Sequence, residues 1–156
     1  MFGFFYVIMI ERGGILKYQI SLDIHDNLKR VTTLYINQKR MKEWEKGLSH
    51  IEQTKGTLFQ TGSEGFLVFS FNDIELKMKV YVESNQLPRE ITLIYEVSGV
   101  WNRCVNSFKE TNGVTRWNMD VEFRFSQAND TPVERFIEKT KEGMNTFKRF
   151  VEDNRA

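Results

Sequence analysis

From Phe108 to Trp117 the chain reads FKETNGVTRW, and Asn112-Gly113 within it is the sequence of a two-residue type I′ hairpin loop. Such a loop fixes register. Register in turn fixes which side chains share a face, because strand side chains alternate with a period of two. Phe108 is set opposite Trp117, Asn106 opposite Met119, Cys104 opposite Val121 and Asn102 opposite Phe123. Ser98-Gly99 is a second tight turn, and it sets Val97 against Val100, Tyr95 against Asn102, Leu93 against Cys104 and Ile91 against Asn106. The two turns agree: Asn102, Cys104, Asn106 and Phe108 lie on the face that carries Ile91, Leu93, Tyr95, Trp117, Met119, Val121 and Phe123. The opposite face receives Arg103 across from Glu122, expected as an ion pair, and Trp101 across from Arg124, expected as a cation–π contact. Lys109 falls opposite Arg116, a like-charge pair that registers against this pairing unless both side chains splay into water.

A third turn, Asn72-Asp73, pairs Phe71 with Ile74, Phe69 with Leu76 and Leu67 with Met78. Ile74, Leu76, Met78, Val80 and Val82 then continue the inner face, with Glu75, Lys77, Lys79, Tyr81 and Glu83 outward. Ahead of this meander, LKYQISLDI (Leu16 to Ile24) alternates strictly and reads as a half-buried strand. Asp26 or Asn27 caps a helix from Leu28 that breaks near Asn37 into two short helices and ends at Gly47, followed by a weak strand signal between His50 and Gln60. At the other end, Thr131-Pro132-Val133-Glu134 reads as a capping box with proline at the first helical position. Val133, Phe136, Ile137, Met144, Phe147, Phe150 and Val151 recur behind it at helical spacing. Thr140 and Gly143 share that stripe, so it is not packed solid along its length.

The expected fold class is therefore α+β: a strand, two short helices, an antiparallel meander of about six strands, and a long C-terminal helix. At 156 residues this is one domain with one core, which we bound at residues 16–154. Residues 1–15 read as an N-terminal extension outside the core. MFGFFYVIMI is apolar but about half the length of a membrane span, and it lacks the basic flank and cleavage site of a signal peptide. Glu11 to Gly14 reads as a translated ribosome-binding purine run, with the natural chain starting near Leu16. Net charge is +1, with 22 basic and 21 acidic residues interspersed, which argues against nucleic acid as a partner. A single cysteine, Cys104, and two histidines, His25 and His50, form no internal disulfide and no soft-metal constellation; no cofactor is expected, and a reducing cytoplasm is the expected compartment.

The order of elements, WEKGLSHIEQTKG after the short helices, GSEGFLVFSF, FKETNGVTRWNMDVEFRF and a final GMNTFKRFVED together resemble the START-like (SRPBCC) superfamily, within it the polyketide cyclase/dehydrase and lipid-transport group. The resemblance spans Leu16 to about Asn154. It implies a helix-grip fold, a curved antiparallel sheet of about seven strands wrapped around the long helix with a cavity between. It also implies a small hydrophobic or amphipathic ligand such as a lipid, sterol or polyketide. A minority of such proteins catalyse cyclisation or dehydration, and others regulate partner proteins, including a chaperone ATPase.

Within that cavity the residues assign parts. Phe69, Met78, Leu93, Trp117 and Met119 form an apolar bed, with Phe136, Thr140, Gly143, Met144 and Phe147 facing it from the helix. Asn102, Cys104 and Asn106 are a polar stripe on an apolar face. A buried amide left unsatisfied costs about 1–3 kcal/mol, so the stripe either orients a ligand or binds backbone and buried water. Cys104 has no base beside it and is an inert thiol; Tyr95, facing Asn102, is the one acid that cyclase chemistry could use, and no catalytic residue is assigned. Asp120 and Glu122 point outward, and no glycine-rich phosphate loop is present. Three readings stay open: a non-catalytic binder, a cyclase or dehydratase, and a protein-interacting regulator, for which the outward Phe66, Val68, Ile94 and Val105 would supply an apolar patch.

Overall fold

The computed structural model describes residues 5–11, 14–127 and 129–154, with backbone alone for 5–11. One antiparallel sheet holds every strand: β1 (Phe5–Glu11), β2 (Ile15–Ile24), β3 (Leu48–Lys55), β4 (Glu64–Phe71), β5 (Ile74–Gln86), β6 (Glu90–Val97), β7 (Val100–Thr111) and β8 (Val114–Phe125). Its order is β1-β2-β8-β7-β6-β5-β4-β3. β2 to β8 form a seven-stranded helix-grip sheet, and β1 adds an eighth strand outside β2. Of the N-terminal extension, residues 1–4, 12 and 13 lie outside the described residues.

Helix α1 (Leu28–Tyr35) and a 3-10 helix (Gln38–Glu43) carry the chain from β2, at one side of the seven-stranded sheet, to β3 at the other. Asn27 is the cap of α1, its side-chain oxygen accepting from Arg30 N–H at 2.8 Å, and the helical run breaks at Asn37 as its spacing predicts. Helix α2 (Val133–Asp153) follows β8 and buries Ile137, Met144, Phe147, Phe150 and Val151. It is tied by hydrogen bonds to β2 and to the turn after it. Tyr18 Oη lies 2.7 Å from Thr140 Oγ1, Lys148 Nζ donates to Asp23 O at 2.8 Å, and His25 N–H donates to Glu152 Oε2 at 2.8 Å. Arg30 on α1 donates to the carbonyls of Val151 and Asn154.

All three computed turns have the expected register: Phe71 faces Ile74, Tyr95 faces Asn102, and Phe108 faces Trp117. Asn112 and Gly113 both take positive φ, at 50° and 79°, as a type I′ loop requires, and so do Asn72 and Asp73; at the Ser98-Gly99 turn only Gly99 does. β2 alternates intermediate and buried over its whole length, with Leu16, Tyr18, Ile20, Leu22 and Ile24 inward. Arg124 stacks its guanidinium 4.5 Å from the Trp101 ring, as anticipated. Arg116, opposite Lys109, is compensated from its other side by Asp23, which accepts from its guanidinium at 2.8 and 3.1 Å.

Four expectations need correction. No capping box forms: Pro132 is itself the N-cap, its extended backbone (φ −58°, ψ 141°) placing Thr131 one residue too early, and Asn129 instead accepts from Thr131 N–H at 2.8 Å. Arg103 does not pair with Glu122. A bulge in β5 between Val82 and Ser84 re-aims Glu83, which grips the Arg103 guanidinium at 2.9 and 2.6 Å, while Glu122 accepts from Arg124 at 2.6 Å. The outward apolar positions form no exposed patch, because Val68 is fully buried and Phe66, Ile94 and Val105 are half-buried, Phe66 beneath the Lys77 ammonium. Among the residues whose side chains are described, the exposed large hydrophobics are Phe71 at 50%, Ile74 at 70% and Leu76 at 41%. These have inner-face parity, but pairing of β5 with β6 starts only at Lys79, so the β4–β5 hairpin overhangs the rest of the sheet there.

The sheet closes tightly where β3 crosses β4. A Cβ added to Gly65 would collide with the Glu52 carbonyl oxygen, whereas one added to Gly62 (φ +83°) meets nothing within 4 Å. Gly65→Ala should therefore lose about 1–3 kcal/mol in urea unfolding, because backbone must move. Gly62→Ala should lose only the left-handed backbone cost of about 1 kcal/mol.

Candidate functional site

Cross-strand pairing paves the concave face in four rows. Tyr95, Asn102, Phe123 and Leu16 make the first; Leu93, Cys104, Val121 and Tyr18 the second; Ile91, Asn106, Met119 and Ile20 the third; Phe108, Trp117 and Leu22 the fourth. The fourth row is closed by aromatic packing from the helices. Tyr35 lies 5.5 Å from Trp117 and 5.3 Å from Phe147, and Trp44 lies 4.8 Å from Phe147, ring centre to ring centre. Beyond the first row Phe136 packs on Phe123 at 5.0 Å and on Phe125 at 5.5 Å. Between these clusters Met78, Tyr95, Asn102, Met119, Thr140 and Gly143 are half-buried rather than buried. A Cβ on Gly143 would meet nothing within 4 Å.

The expected lining thus divides. Phe69, Leu93, Cys104, Trp117, Met144 and Phe147 are buried in the core. Asn106 is fully buried and its amide is spent internally: Oδ1 accepts from Trp117 Nε1 at 2.9 Å, and Nδ2 donates to the carbonyls of Ile91 and Cys104, each at 3.4 Å. The half-buried set, with Phe136, keeps part of its surface exposed. A depression of ≈ 270 Å³ opens at Phe136 between Leu16, Phe125 and Val133. A larger groove, ≈ 600 Å³, lies on the rim around Lys79, Glu96, Trp101 and Arg124 and is bounded by none of the expected lining residues.

Electrostatics sets the chemistry of the polar members. Burial pushes the Cys104 thiol up to about 12, against a weaker opposing hydrogen bond to Asn102 Oδ1 at 3.5 Å, so it is a protonated, unreactive thiol. Burial raises the Tyr35 and Tyr95 phenols well above their ordinary value, leaving neutral hydroxyls. Tyr18 is raised in the same way, while its hydroxyl, besides meeting Thr140, donates to Phe136 O at 3.2 Å. Among the described residues no group of three or more His, Cys, Asp and Glu side chains is placed to hold a metal, and no helix is long and apolar enough to cross a membrane.

No protein-family model matches the chain, and no curated protein does. Solved structures do. Ara h 8.0201 superposes with a TM-score of 0.77 at 8% identity, over 90% of this chain and 100% of that one. The fold is that of the START/Bet v1-like superfamily. A protein from Rhodobacter sphaeroides gives 0.73 at 10% identity over 96% of this chain and 99% of its own, and one from Rhizobium loti gives 0.72 at 12% identity over 88% and 96%. At these identities the likeness is one of fold.

On this START/Bet v1-like frame the sequence reading missed Glu45 and Tyr35. RMKEWEK reads as mixed in charge rather than basic, and Tyr35 as one position in the helical run of Leu28, Val31, Leu34, Tyr35, Met41 and Trp44. The 3-10 turn that ends at Glu43 changes the period, so that Trp44 is buried and Glu45 is half-buried, its charge helping to raise the Tyr35 and Tyr95 phenols. The sequence signal is the change from helix to Gly47 within three residues of Met41-Lys42-Glu43-Trp44. Burial pushes the Glu45 carboxyl up to about 7. Trp44 Nε1 is buried without a hydrogen-bond partner among the described residues.

Two outcomes follow. Asn106→Leu should destabilise by about 1–3 kcal/mol in denaturant unfolding, since it strands the Trp117 indole N–H in the core. For Glu45 the folded carboxyl binds its proton more tightly than the unfolded one, whose ordinary value is 4.5. Its contribution to stability is therefore present below that value and is lost as pH rises to about 7. Glu45→Gln, compared with wild type by urea unfolding across that window, should remove this part of the slope and be relatively more stable on the alkaline side.

Proposed function

We propose that the protein is a receptor for a small hydrophobic or amphipathic molecule, held between the concave face of β5–β8 and α2, within residues 16–154. What supports this reading is the half-exposed strip of Met78, Tyr95, Asn102, Met119 and Thr140 on a face that is otherwise buried, with open space beside Gly143 and aromatic clusters to either side. Sites of this kind are mainly apolar with a few placed polar groups, and that is the mixture here. Leu93, Cys104, Asn106, Trp117, Met144 and Phe147 act behind the surface, shaping it. A lipid-like or polyketide-like carrier or sensor of the cytoplasm fits this reading, supported by the single buried thiol and the near-neutral charge.

A cyclase or dehydratase activity is the second reading, and what favours it is the half-buried Glu45 carboxyl, whose charge helps to raise the Tyr95 phenol. General acid–base work uses groups whose affinity for a proton lies near the working pH, and Glu45 meets that requirement where Cys104 does not.

Gly143→Leu tests the receptor. Leucine favours helix over glycine by up to about 1 kcal/mol, so the fold should be as stable or more so, while the new side chain fills the cleft. The expected result is roughly tenfold weaker binding of an uncharged fluorescent apolar probe such as Nile red, with an unchanged or higher Tm. Undiminished binding would remove the cleft as the site. Native mass spectrometry of protein from its own host should show a co-purifying lipid-like mass, unaltered on incubation if the protein is a carrier and chemically changed if it is an enzyme.

A further inference from the structure

The concave face of β7 carries a hydrogen-bond donor that the protein leaves unused. Asn102 is set on that face by its pairing with Tyr95 on one side and Phe123 on the other, two residues from the buried Cys104, and it is half-buried. Its Oδ1 accepts from the Cys104 thiol at 3.5 Å, and because that thiol keeps its proton, the oxygen side of the amide is the side turned to it. Nδ2 faces away from the thiol, and among the described residues it donates to nothing. Nor is it sealed in, since the buried side-chain donor left without a partner there is Trp44 Nε1.

Other polar hydrogens of the face are spent. Tyr18 Oη and Thr140 Oγ1 lie 2.7 Å apart, and both reach the Phe136 carbonyl, at 3.2 and 3.0 Å, so their two hydrogens are taken up between each other and that oxygen. Asn106 is occupied by the Trp117 indole and two backbone carbonyls. Met78, Met119 and Gly143 bring no polar side chain to the half-exposed strip, and Tyr95 brings a neutral phenol. The closest backbone approach of α2 to the sheet is along β2, two strands from β7, so the tightest packing lies away from Asn102.

Ligand head groups fare differently against such a lining. A carboxylate or an ammonium loses water and meets no opposite charge, which is costly. A purely apolar guest buries the amide N–H unsatisfied, a penalty of the same kind. A hydroxyl takes that hydrogen but brings one of its own, and the amide oxygen beside it already faces the thiol. A carbonyl oxygen takes the hydrogen, carries no charge and needs no acceptor in return.

We propose that Asn102 selects the head group of the ligand, donating from Nδ2 to the carbonyl oxygen of an uncharged ketone or ester whose apolar body lies along the half-exposed strip. This rests on the receptor reading above and adds the ligand class and the residue that reads it.

Isothermal titration of the full chain at neutral pH with methyl octyl ketone, decanoate and decylamine, each below its micellar concentration, reads the affinities. Infrared spectroscopy of the bound ketone, isotope-labelled at its carbonyl carbon, reads the hydrogen bond. The ketone should bind tightest, by roughly tenfold over either charged compound, with its carbonyl stretch below the frequency it has in hydrocarbon solvent. In Asn102→Leu the ketone should bind roughly three- to tenfold more weakly and its stretch should return to the hydrocarbon value. A wild-type stretch already at that value, a lowered stretch that survives Asn102→Leu, or a charged compound bound as tightly as the ketone would overturn the head-group class alone. Failure of all three compounds to bind the wild type overturns the receptor with it.

Discussion

The pairing of β2 with β8 is the interaction on which the molecule depends. It joins the first strand of the helix-grip sheet to the last through ten residue pairs, Ile15 with Arg124 to Ile24 with Thr115. Every other contact within those seven strands is between neighbours in sequence and is closed by a short loop. The β2–β8 pairing alone must close a loop of most of the domain, a cost in chain entropy that local hairpins do not carry. Once made, it sets α2 against β2 and sends the helical connection across the concave side to β3. The cleft is the space left by that wrapping.

How much of this can be read from the chain depends on how local each cause is. Three two-residue turns act within a few positions, and the registers computed from them hold to the ends of their strands, Phe71 with Ile74, Val97 with Val100 and Phe108 with Trp117. Parity then places the inner face without knowledge of the rest. What fails is whatever a second-neighbour strand decides. The Glu83 bulge takes Arg103 away from Glu122, and the late start of the β5–β6 pairing leaves Phe71, Ile74 and Leu76 in water although their parity is inward. The capping-box sequence likewise fails by one residue, a shift that only the observed backbone of Pro132 decides.

The polar groups of the concave face show the same divide. That Asn102 and Asn106 share a face with apolar residues follows from the turns, but which of them is satisfied does not. Asn106 sits one row from Trp117 and takes its indole N–H, so it belongs to the core; Asn102, at the open end of its strand, stays half-buried. Glu45 is harder still. Its half-burial follows an α-helix giving way to a 3-10 helix, and a change of period over so few residues leaves no hydrophobic pattern to read.

The fastening of α2 is lopsided. The hydrogen bonds of Thr140, Lys148 and Glu152 run to β2 and the turn after it, and the carbonyls of Val151 and Asn154 are gripped by Arg30, all along one margin. Arg40 of the 3-10 helix adds one more tie at the far end, donating to Asn154 Oδ1 at 3.2 Å, whereas Gly143, in the middle of the helix, looks into vacant space. The displacement of α2 that spares its bonds to β2 is a swing about that strand, like a door on its jamb.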